Sequence, residues 1–337
     1  MATYDSWSKL EEVWLGDCYP KHFYDHLQNE VRECFHEITE ITQEDLSKIQ
    51  SKLEEFGVKV RRPLYESIED YSKDGNLVKP HITPRDYYFS LGDSLYFKDT
   101  YEKFGKPWQN IVTEYQQTNT VLIQDRLLSE LHINGANIVR VGRDLYFDLQ
   151  EYKVDLFTKE VQPKFKDFRC HLLFNGGHTD SCFATLRPGL ILASKYYNDY
   201  ESTFPGWELI HLDKPEFWRP IHPSTFRQAD KNWWLPTGKN LSFNEHIIKF
   251  ALDWVGNYTE TFFDINCLVV DEKNVLMLGD NHNLYNILEK KGINVHQVPF
   301  RTRTFWDGGL HCLTVDIKRR SVLKDYFSFK DSLILHQ

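Results

Sequence analysis

The sequence lacks the patterns that mark membrane spans, disulfide scaffolds and structural zinc sites. No apolar run approaches the roughly 18 residues that a bilayer span needs, and no basic segment followed by an apolar one opens the chain. Its six cysteines contain no CxxC pair, so neither a disulfide framework nor a structural zinc ion is expected. We therefore expect a cytoplasmic protein with reduced thiols.

A strong positive charge is also missing. The formal net charge is −9 and the basic residues are scattered, which argues against nucleic acid or an anionic membrane as the main partner. The 337 residues, 41% hydrophobic and 26% charged, are typical of a globular protein with a sizeable core. No linker or low-complexity stretch divides the chain, so we expect a single domain spanning 1–337.

Two local patterns recur along the chain. The first is an amphipathic helix, a glycine cap and a strand, with Gly57 and Gly292 as the caps. The second is a hairpin of two apolar strands around a short polar turn. The predicted hairpins are Tyr87–Phe97, Asn137–Phe147, Cys182–Ala193 and Asn266–Leu278.

Two further strands have no hairpin partner of their own. His311–Ile317 is followed by no second strand, and Leu10–Asp17 near the start of the chain could pair with it and close a ring. The chain then contains about five hairpin-plus-helix modules, an α/β arrangement. The alternative is a generic α+β fold in which such hairpins are merely common. The charged segment Glu151–Arg169 is predicted to be a surface excursion.

Polar residues precede the first strand of each module. They are Asp86, Asn134, His178 with Asp180, Asp264 and Cys312. In a closed, pseudo-symmetric ring, equivalent positions converge near the axis. We therefore expect carboxylates, a histidine and a cysteine to line one pocket near that axis.

Several motifs carry a resemblance to a known family. The segments "TPRD" (83–86), "GGHTD" (176–180), "LRPGLILAS" (186–194) and "GGLHCLTVDIKRR" (308–320) resemble the arginine:glycine amidinotransferase family of the pentein superfamily. The resemblance runs from about Tyr4 to Phe327. It implies a pentein five-bladed α/β propeller with the active site on its axis. It also implies a small-molecule guanidino donor, an amine acceptor and no metal or organic cofactor, and it leaves a homodimer open.

The resemblance assigns roles to four of these residues. Asp86 and Asp180 grip a guanidinium, whose N–H groups suit carboxylates, and Cys312 attacks its carbon as a thiolate. His178 protonates the departing amine and later deprotonates the incoming nucleophile. Each has a structural alternative: the aspartates could cap turns, His178 could be a satisfied structural histidine, and Cys312 could be an inert buried thiol. For His311 we expect packing or an orienting hydrogen bond, on the opposite face of the strand from Cys312.

The sequence departs from the family at several site positions. Asn134 stands where relatives carry a carboxylate that orients the catalytic histidine, so we expect slower chemistry. Tyr197 stands where users of arginine carry an arginine for the α-carboxylate, and Glu260 falls near their paired serines. An amine-tailed guanidine such as agmatine is then a plausible donor, unless Arg303 restores the missing cation. Asp307 is either a turn residue or a negative wall that favours a cationic acceptor.

The sequence is compatible with three functions. The first is an amidinotransferase that works through an amidino-cysteine intermediate. The second is a hydrolase on the same scaffold, a deiminase or dihydrolase, in which water resolves the adduct. The third is a non-catalytic binding protein that keeps the pocket.

Overall fold

The computed structural model describes residues 3–73, 76–97, 106–117, 121–175, 178–194, 199–212, 214, 234–235, 240–255 and 263–336. The strands in these ranges are β1 (Leu10–Leu15), β2 (Lys59–Arg61), β3 (Ser72–Lys73), β4 (Asn76–Leu77), β5 (Tyr88–Leu91), β6 (Ser94–Phe97), β7 (Val121–Gln124), β8 (Ile138–Val141), β9 (Asp144–Asp148), β10 (Arg169–Leu173), β11 (Phe183–Arg187), β12 (Leu190–Ala193), β13 (Glu208–His211), β14 (Leu268–Asp271), β15 (Asn274–Met277), β16 (Asn294–Gln297), β17 (Thr314–Arg319) and β18 (Leu333–Leu335). The helices are α1 (Asn29–Glu55), α2 (Gln109–Gln116), α3 (Arg126–Glu130), α4 (Val154–Leu156), α5 (Tyr200–Thr203), α6 (Leu241–Phe250), α7 (His282–Lys290) and α8 (Arg303–Trp306).

The same supersecondary unit recurs along the chain. An antiparallel hairpin is followed by helical structure and by a third strand that pairs in parallel with the second hairpin strand. The units are β5–β6–β7, β8–β9–β10, β11–β12–β13 and β14–β15–β16. The four predicted hairpins are thereby confirmed, and the architecture is mixed α/β.

A fifth unit is divided between the two halves of the chain. Strand β1 pairs antiparallel with β17, with Leu15 opposite Thr314, and it pairs in parallel with β2 after the long helix α1. The predicted meeting of these two segments is confirmed. However, β17 is not the last strand, because β18 follows it and joins the edge of the β8–β10 sheet beside β10.

Glycine caps end two of the helices as predicted. After α1, Gly57 has φ 76° and its N–H bonds to the Glu54 carbonyl at 2.9 Å. After α7, Gly292 has φ 76° and bonds to the Glu289 carbonyl at 2.8 Å. Left-handed backbone at this position costs glycine little, so the chain turns directly into β2 and β16.

Two expectations about individual segments were wrong. Glu151–Arg169 is not a surface excursion, because its helical turns bury Phe157, Val161 and Phe165 against β9 and β10. The strand predicted from His311 begins only at Thr314, since the residues before it form a turn. Within the described ranges, no helix combines the length and the apolar character that crossing a bilayer requires.

Candidate active site

A tight turn carries Cys312 immediately before β17. The Leu313 N–H bonds to the Gly309 carbonyl at 3.0 Å, and the Thr314 N–H bonds to the His311 carbonyl at 3.2 Å. Cys312 is 4% exposed. The turn leaves no room for side chains at the glycines before it, because a Cβ on Gly308 would lie 2.9 Å from Thr83 Cγ2. The Gly-Gly pair therefore allows the turn to pack against the loop that carries Asp86.

Asn266 holds Cys312 from the opposite side. Its Oδ1 accepts the Cys312 backbone N–H at 3.0 Å, and its Nδ2 donates to the Cys312 Sγ at 3.1 Å. Asn266 is 1% exposed and lies just before β14. A Cβ on Gly309 would lie 2.6 Å from Asn266 Cβ, so the second glycine makes room for this amide.

Asp180 faces both Cys312 and His311. Its Oδ2 lies 3.5 Å from the Cys312 Sγ and 2.8 Å from the His311 Nδ1. Burial raises the pKa of Asp180, but the His311 hydrogen bond and the nearby charges of His311, His178 and Arg85 outweigh it and lower that pKa. Burial, assisted by Arg85, lowers the pKa of His311. The Asp180 carboxylate therefore accepts the hydrogen bond from the His311 Nδ1.

Arg85 binds the backbone of the turn that carries Cys312. Its Nε donates to the carbonyls of His311 at 2.7 Å and Thr314 at 2.8 Å, and its Nη2 binds Asp316 Oδ1 at 2.8 Å. The turn that carries Cys312 is thus tied to the residue that precedes Asp86. The sequence "PRD" therefore supplies a positioning guanidinium together with a carboxylate.

Asp86 presents the second carboxylate. Its Oδ2 accepts from Thr83 Oγ1 at 2.8 Å. Within the described part of the chain, the buried atoms Asp86 Oδ1 and Asp180 Oδ1 have no hydrogen-bond partner. A buried carboxylate oxygen without a donor is costly, and two such oxygens suit the N–H groups of a cation such as guanidinium.

His178 and Asn134 each lie just before a short turn that leads into a hairpin. His178 is half-buried, and its carbonyl accepts from Ser181 Oγ at 2.7 Å. Asn134 Oδ1 accepts the backbone N–H groups of Ala136 at 2.9 Å and Asn137 at 3.1 Å. Two donors occupy both lone pairs of that oxygen, so in this conformation the Asn134 side chain caps its turn through its oxygen.

Three charged residues lie near Gly308. Two of them, Arg303 and Asp307, precede it in the sequence, and the third, Lys79, comes from another segment. Arg303, in α8, lies over the Phe263 ring at 5.3 Å. Asp307 has left-handed backbone, φ 52°, and its pKa is raised by burial and by Asp86, against the effects of Lys79 and His178. Lys79 Nζ lies 3.5 Å from the Trp306 carbonyl. Two other predicted donor-pocket residues, Tyr197 and Glu260, lie outside the described residues.

The structure brings together some of the residues predicted from the module positions. The predicted pair Cys312 and Asp180 are in contact, and Thr83 links the Asp86 loop to the Cys312 turn. His311 lies beside Cys312 in a turn and bonds to Asp180, so its predicted place on the opposite face of a strand was wrong. The predicted residue before the fourth hairpin, Asp264, accepts instead from Asn281 at 3.1 Å.

Asn266 and Arg85 were missed. Asn266 stands two residues after Asp264, directly before its hairpin, and an isolated asparagine there gave no chemical signal. Arg85 lies within the "TPRD" segment, next to the carboxylate that carried the prediction. Within the described ranges, no group of three or more histidine, cysteine or acidic residues is arranged to hold a metal ion.

Known proteins with similar sequences are amidinotransferases. The chain is 25% identical over 202 residues to the mitochondrial glycine amidinotransferase of Gallus gallus, a match that covers 58% of this chain and 40% of that protein. This chain therefore spans less than half the length of that relative. It is 24% identical to inosamine-phosphate amidinotransferase 1 of Streptomyces griseus, over 82% of this chain and 80% of that one. No protein-family model matches.

A longer but weaker sequence match is also to an amidinotransferase, and two solved structures share the fold. The L-arginine:L-lysine amidinotransferase of Pseudomonas savastanoi pv. phaseolicola is 21% identical over 97% of this chain and 96% of its own. The structure of inosamine-phosphate amidinotransferase from Streptomyces griseus superposes with a TM-score of 0.70 at 20% identity, covering 96% of this chain and 98% of that one. A cyanobacterial arginine dihydrolase domain, bound to its substrate, gives 0.57 at 14% identity, covering 91% and 98%. The resemblance to amidinotransferases is confirmed, and the structural neighbours share the fold.

Proposed function

We propose that this protein is an amidinotransferase that carries the amidino group on Cys312 between a guanidino donor and an acceptor amine. The observation that carries the proposal is the Cys312 sulfur, 3.5 Å from Asp180 Oδ2 and held by Asn266, near buried carboxylate oxygens that suit a guanidinium. The similarity to proteins named as amidinotransferases supports transfer rather than hydrolysis.

The reaction takes two substitutions at one carbon. The Cys312 thiolate attacks the guanidino carbon, a C–S bond forms, the C–N bond to the donor breaks and the departing amine takes a proton. The acceptor amine then attacks the same carbon and loses a proton. A new C–N bond forms, the C–S bond breaks and the thiolate is restored, so no oxidant or cofactor is consumed.

Asp86 and Asp180 would orient the donor. A guanidinium is planar and presents several N–H groups, and a carboxylate can accept two of them at once. Charge-assisted hydrogen bonds of this kind contribute roughly 1.5–3 kcal/mol each. Two such grips would hold the poorly electrophilic carbon in line with the Cys312 sulfur.

His178 would move the protons. It protonates the departing amine and then deprotonates the acceptor, roles that suit an imidazole near neutral pH. We propose that Asn134 orients His178, in place of the carboxylate that family members carry at this position. Its oxygen already caps a turn, and an amide carries no charge to stabilise an imidazolium, so proton transfer would be slower than with a carboxylate.

The substrate tails would be recognised at the rim of the site. Tyr197 and Glu260 favour an amine-tailed guanidine as donor, and Arg303 is the cation that would instead favour a carboxylate. Asp307 would favour a cationic acceptor. In the same proposal, the five three-stranded units are the blades of a pentein propeller formed by one domain, 1–337. The cytoplasmic location stays a prediction.

Product analysis tests the reaction class. The protein is incubated with L-arginine or agmatine, with and without glycine, lysine and other primary amines, and the products are identified by mass spectrometry. We expect repeated turnover to amidinated acceptor and released donor amine only when an acceptor is present. Without one, release should stop after one amine per protein. Citrulline, carbamoylputrescine or ammonia formed equally fast without any acceptor would identify a hydrolase. No product and no covalent adduct with any donor would indicate a binding protein.

A further inference from the structure

We propose that Asn266 is a further catalytic residue, whose amide stabilises the thiolate form of Cys312 and aims the sulfur at the donor carbon. The inference rests on the proposed function, because it gives Cys312 the role of nucleophile. Asn266 touches the reacting sulfur directly, at 3.1 Å through Nδ2.

The orientation of the amide follows from its two contacts with the same residue. The Cys312 backbone N–H can only donate, so the Asn266 atom 3.0 Å from it is the carbonyl oxygen Oδ1. The NH₂ group must then be the end that faces the sulfur. An NH₂ group stabilises a thiolate more than a thiol, because hydrogen bonds to a charged acceptor are the stronger ones.

The sulfur benefits from such a donor because two features of the site oppose its ionisation. Asp180 Oδ2 lies 3.5 Å away and is ionised, and Cys312 is buried. A nearby negative charge and loss of water both disfavour a thiolate. The Asn266 amide, unlike a cation, can favour the thiolate without pairing with Asp180 or repelling the cationic donor.

The fold holds the amide rigidly in this place. Asn266 is 1% exposed, and its own carbonyl accepts the His311 N–H at 3.3 Å. Gly309 packs against its side chain, where a Cβ would come within 2.6 Å. The backbone carbonyl and the side chain of Asn266 therefore both bind the turn that carries Cys312. This keeps the Nδ2 group directed at the sulfur.

The test measures how fast Cys312 reacts with iodoacetamide between pH 5 and 10, because only the thiolate reacts. Peptide mass spectrometry follows Cys312 alone among the six cysteines. Asn266→Leu has a similar shape but neither donates nor accepts, and Asn266→Asp keeps the acceptor while replacing the donor with an acid. Asn294→Asp, on the exposed part of β16, is the matched control for an added charge. Thermal melting checks that each variant is folded, and Asn266→Ala replaces Asn266→Leu if the latter does not fold.

We expect the midpoint of the alkylation curve to rise by about one pH unit or more in Asn266→Leu, and further in Asn266→Asp. The rate at pH 7 should fall about 10-fold or more, as expected for the loss of one hydrogen bond to a charged group. Asn294→Asp should match the wild type. A midpoint in Asn266→Leu equal to that of the wild type would overturn the inference, even if Asn266→Asp shifts, because charge alone would then explain the shift. A wild-type Cys312 that is unreactive at every pH would instead refute the proposed nucleophile itself.

Discussion

His178 and Asp180 are separated by a single residue in the sequence, yet replacing each should have a different effect. In a Cys312→Ala background, which permits binding without turnover, Asp180→Asn should weaken binding of the guanidino donor by about 10- to 100-fold, since one charge-assisted grip is lost. His178→Ala should leave that affinity unchanged. With Cys312 intact, His178→Ala should lower kcat by roughly 10²–10⁴-fold, because proton transfer is lost.

Calorimetry on the Cys312→Ala proteins and steady-state kinetics on the others provide the two readouts. Equal donor affinity in Asp180→Asn and its parent would contradict the guanidinium grip. Loss of donor affinity in His178→Ala would mean that this histidine binds the substrate rather than moving protons.

Donor preference at the rim of the site gives a second prediction at this scale. A carboxylate at Glu260 would repel an α-carboxylate by roughly 1–4 kcal/mol over a few ångströms, depending on the local dielectric, and would attract an ammonium comparably. We expect agmatine to have a kcat/KM at least equal to that of L-arginine, and Glu260→Gln to shift the preference toward L-arginine. Arg303→Ala should change little. If the wild type strongly prefers L-arginine and Arg303→Ala abolishes its use, Arg303 binds the carboxylate instead.

The sequence predicted the site residues that follow from symmetry and missed those that depend on side-chain direction. Cys312 and Asp180 were found because equivalent loop positions meet. Asn266 could not be distinguished from Asp264, two residues earlier, because only the fold decides which of the two reaches the sulfur. An orienting hydrogen bond was among the expectations for His311, but its partner Asp180 was not named. A strand was expected where a turn formed, and a turn places neighbouring side chains differently.

At the scale of the element, strand β18 is held on β10 by a buried histidine pair. His171 Nε2 lies 2.8 Å from Asp144 Oδ1, and its Nδ1 lies 2.9 Å from His336 Nε2. His336 Nδ1 in turn lies 3.2 Å from Thr203 Oγ1 and 3.7 Å from an Asp199 oxygen. With the ionised Asp144 accepting from His171 Nε2, the Nδ1 of that ring is the acceptor. The pair therefore requires a neutral His171.

This pair predicts a loss of stability in acid. Burial, assisted by His171, lowers the pKa of His336 to about 4, and burial lowers the pKa of His171 against the pull of Asp144. Both values lie below the ordinary 6.5, so between about pH 6.5 and 4 the unfolded chain binds more protons than the folded one. Stability from these groups is full above pH 6.5 and falls as the pH drops, by at most about 1.4 kcal/mol per pH unit for each proton.

The variant His336→Gln isolates this effect, because glutamine can donate to His171 without titrating. We expect the melting temperature of the wild type to fall more steeply than that of His336→Gln from pH 6.5 to 4. Hydrogen exchange should show the His336 N–H, bonded to the Leu172 carbonyl at 3.0 Å, losing protection first. Parallel melting curves for the two proteins would show that His336 does not titrate in this range.

Local signals predicted the elements well where they were unambiguous. The caps Gly57 and Gly292 and the four hairpins followed from glycine placement and strand alternation. Two segments failed because tertiary contacts decided them. Glu151–Arg169 looked polar on average, yet three of its apolar residues pack into the core. The β-branched run near Thr314 suggested an earlier strand, but the hydrogen bonds of the Gly-Gly turn take its first residues.

At the scale of the whole molecule, one carboxylate joins several sheets beneath the site. Asp316, in β17, binds Arg85 at 2.8 Å and Arg319 at 2.8 Å and also pairs with Arg140 of β8. Arg319 further donates to the Val269 carbonyl in β14 at 2.8 Å. All these side chains are buried. Burial would raise the pKa of Asp316, but the three guanidinium groups hold it well below its usual value.

Removing that single charge should therefore affect the entire fold. Asp316→Asn leaves three buried guanidinium groups without a carboxylate, and we expect the free energy of unfolding to fall by about 3–5 kcal/mol in urea titrations. Glu11→Gln is the control, since it removes an exposed pair with Arg320 at 2.7 Å and should cost less than about 1 kcal/mol. Similar losses in the two variants would mean that the buried network contributes little to holding the sheets together.

The pairing of β1 with β17 was predictable from the sequence, because neither segment had a hairpin partner of its own. The arginine network was not, because it joins residues from three separate units and no local pattern marks it. β18 was also unforeseen, since its pairing depends on the distant His171.

The covalent intermediate is the most direct test of the central claim. The protein is mixed with L-arginine or agmatine without an acceptor, quenched in acid and examined as intact protein and as peptides by mass spectrometry. We predict that the peptide containing Cys312 gains one amidino group, that an added amine removes the group and becomes amidinated, and that Cys312→Ala gains nothing. An amidino group on another residue, or an adduct that persists in Cys312→Ala, would contradict the claim that Cys312 carries the transferred group.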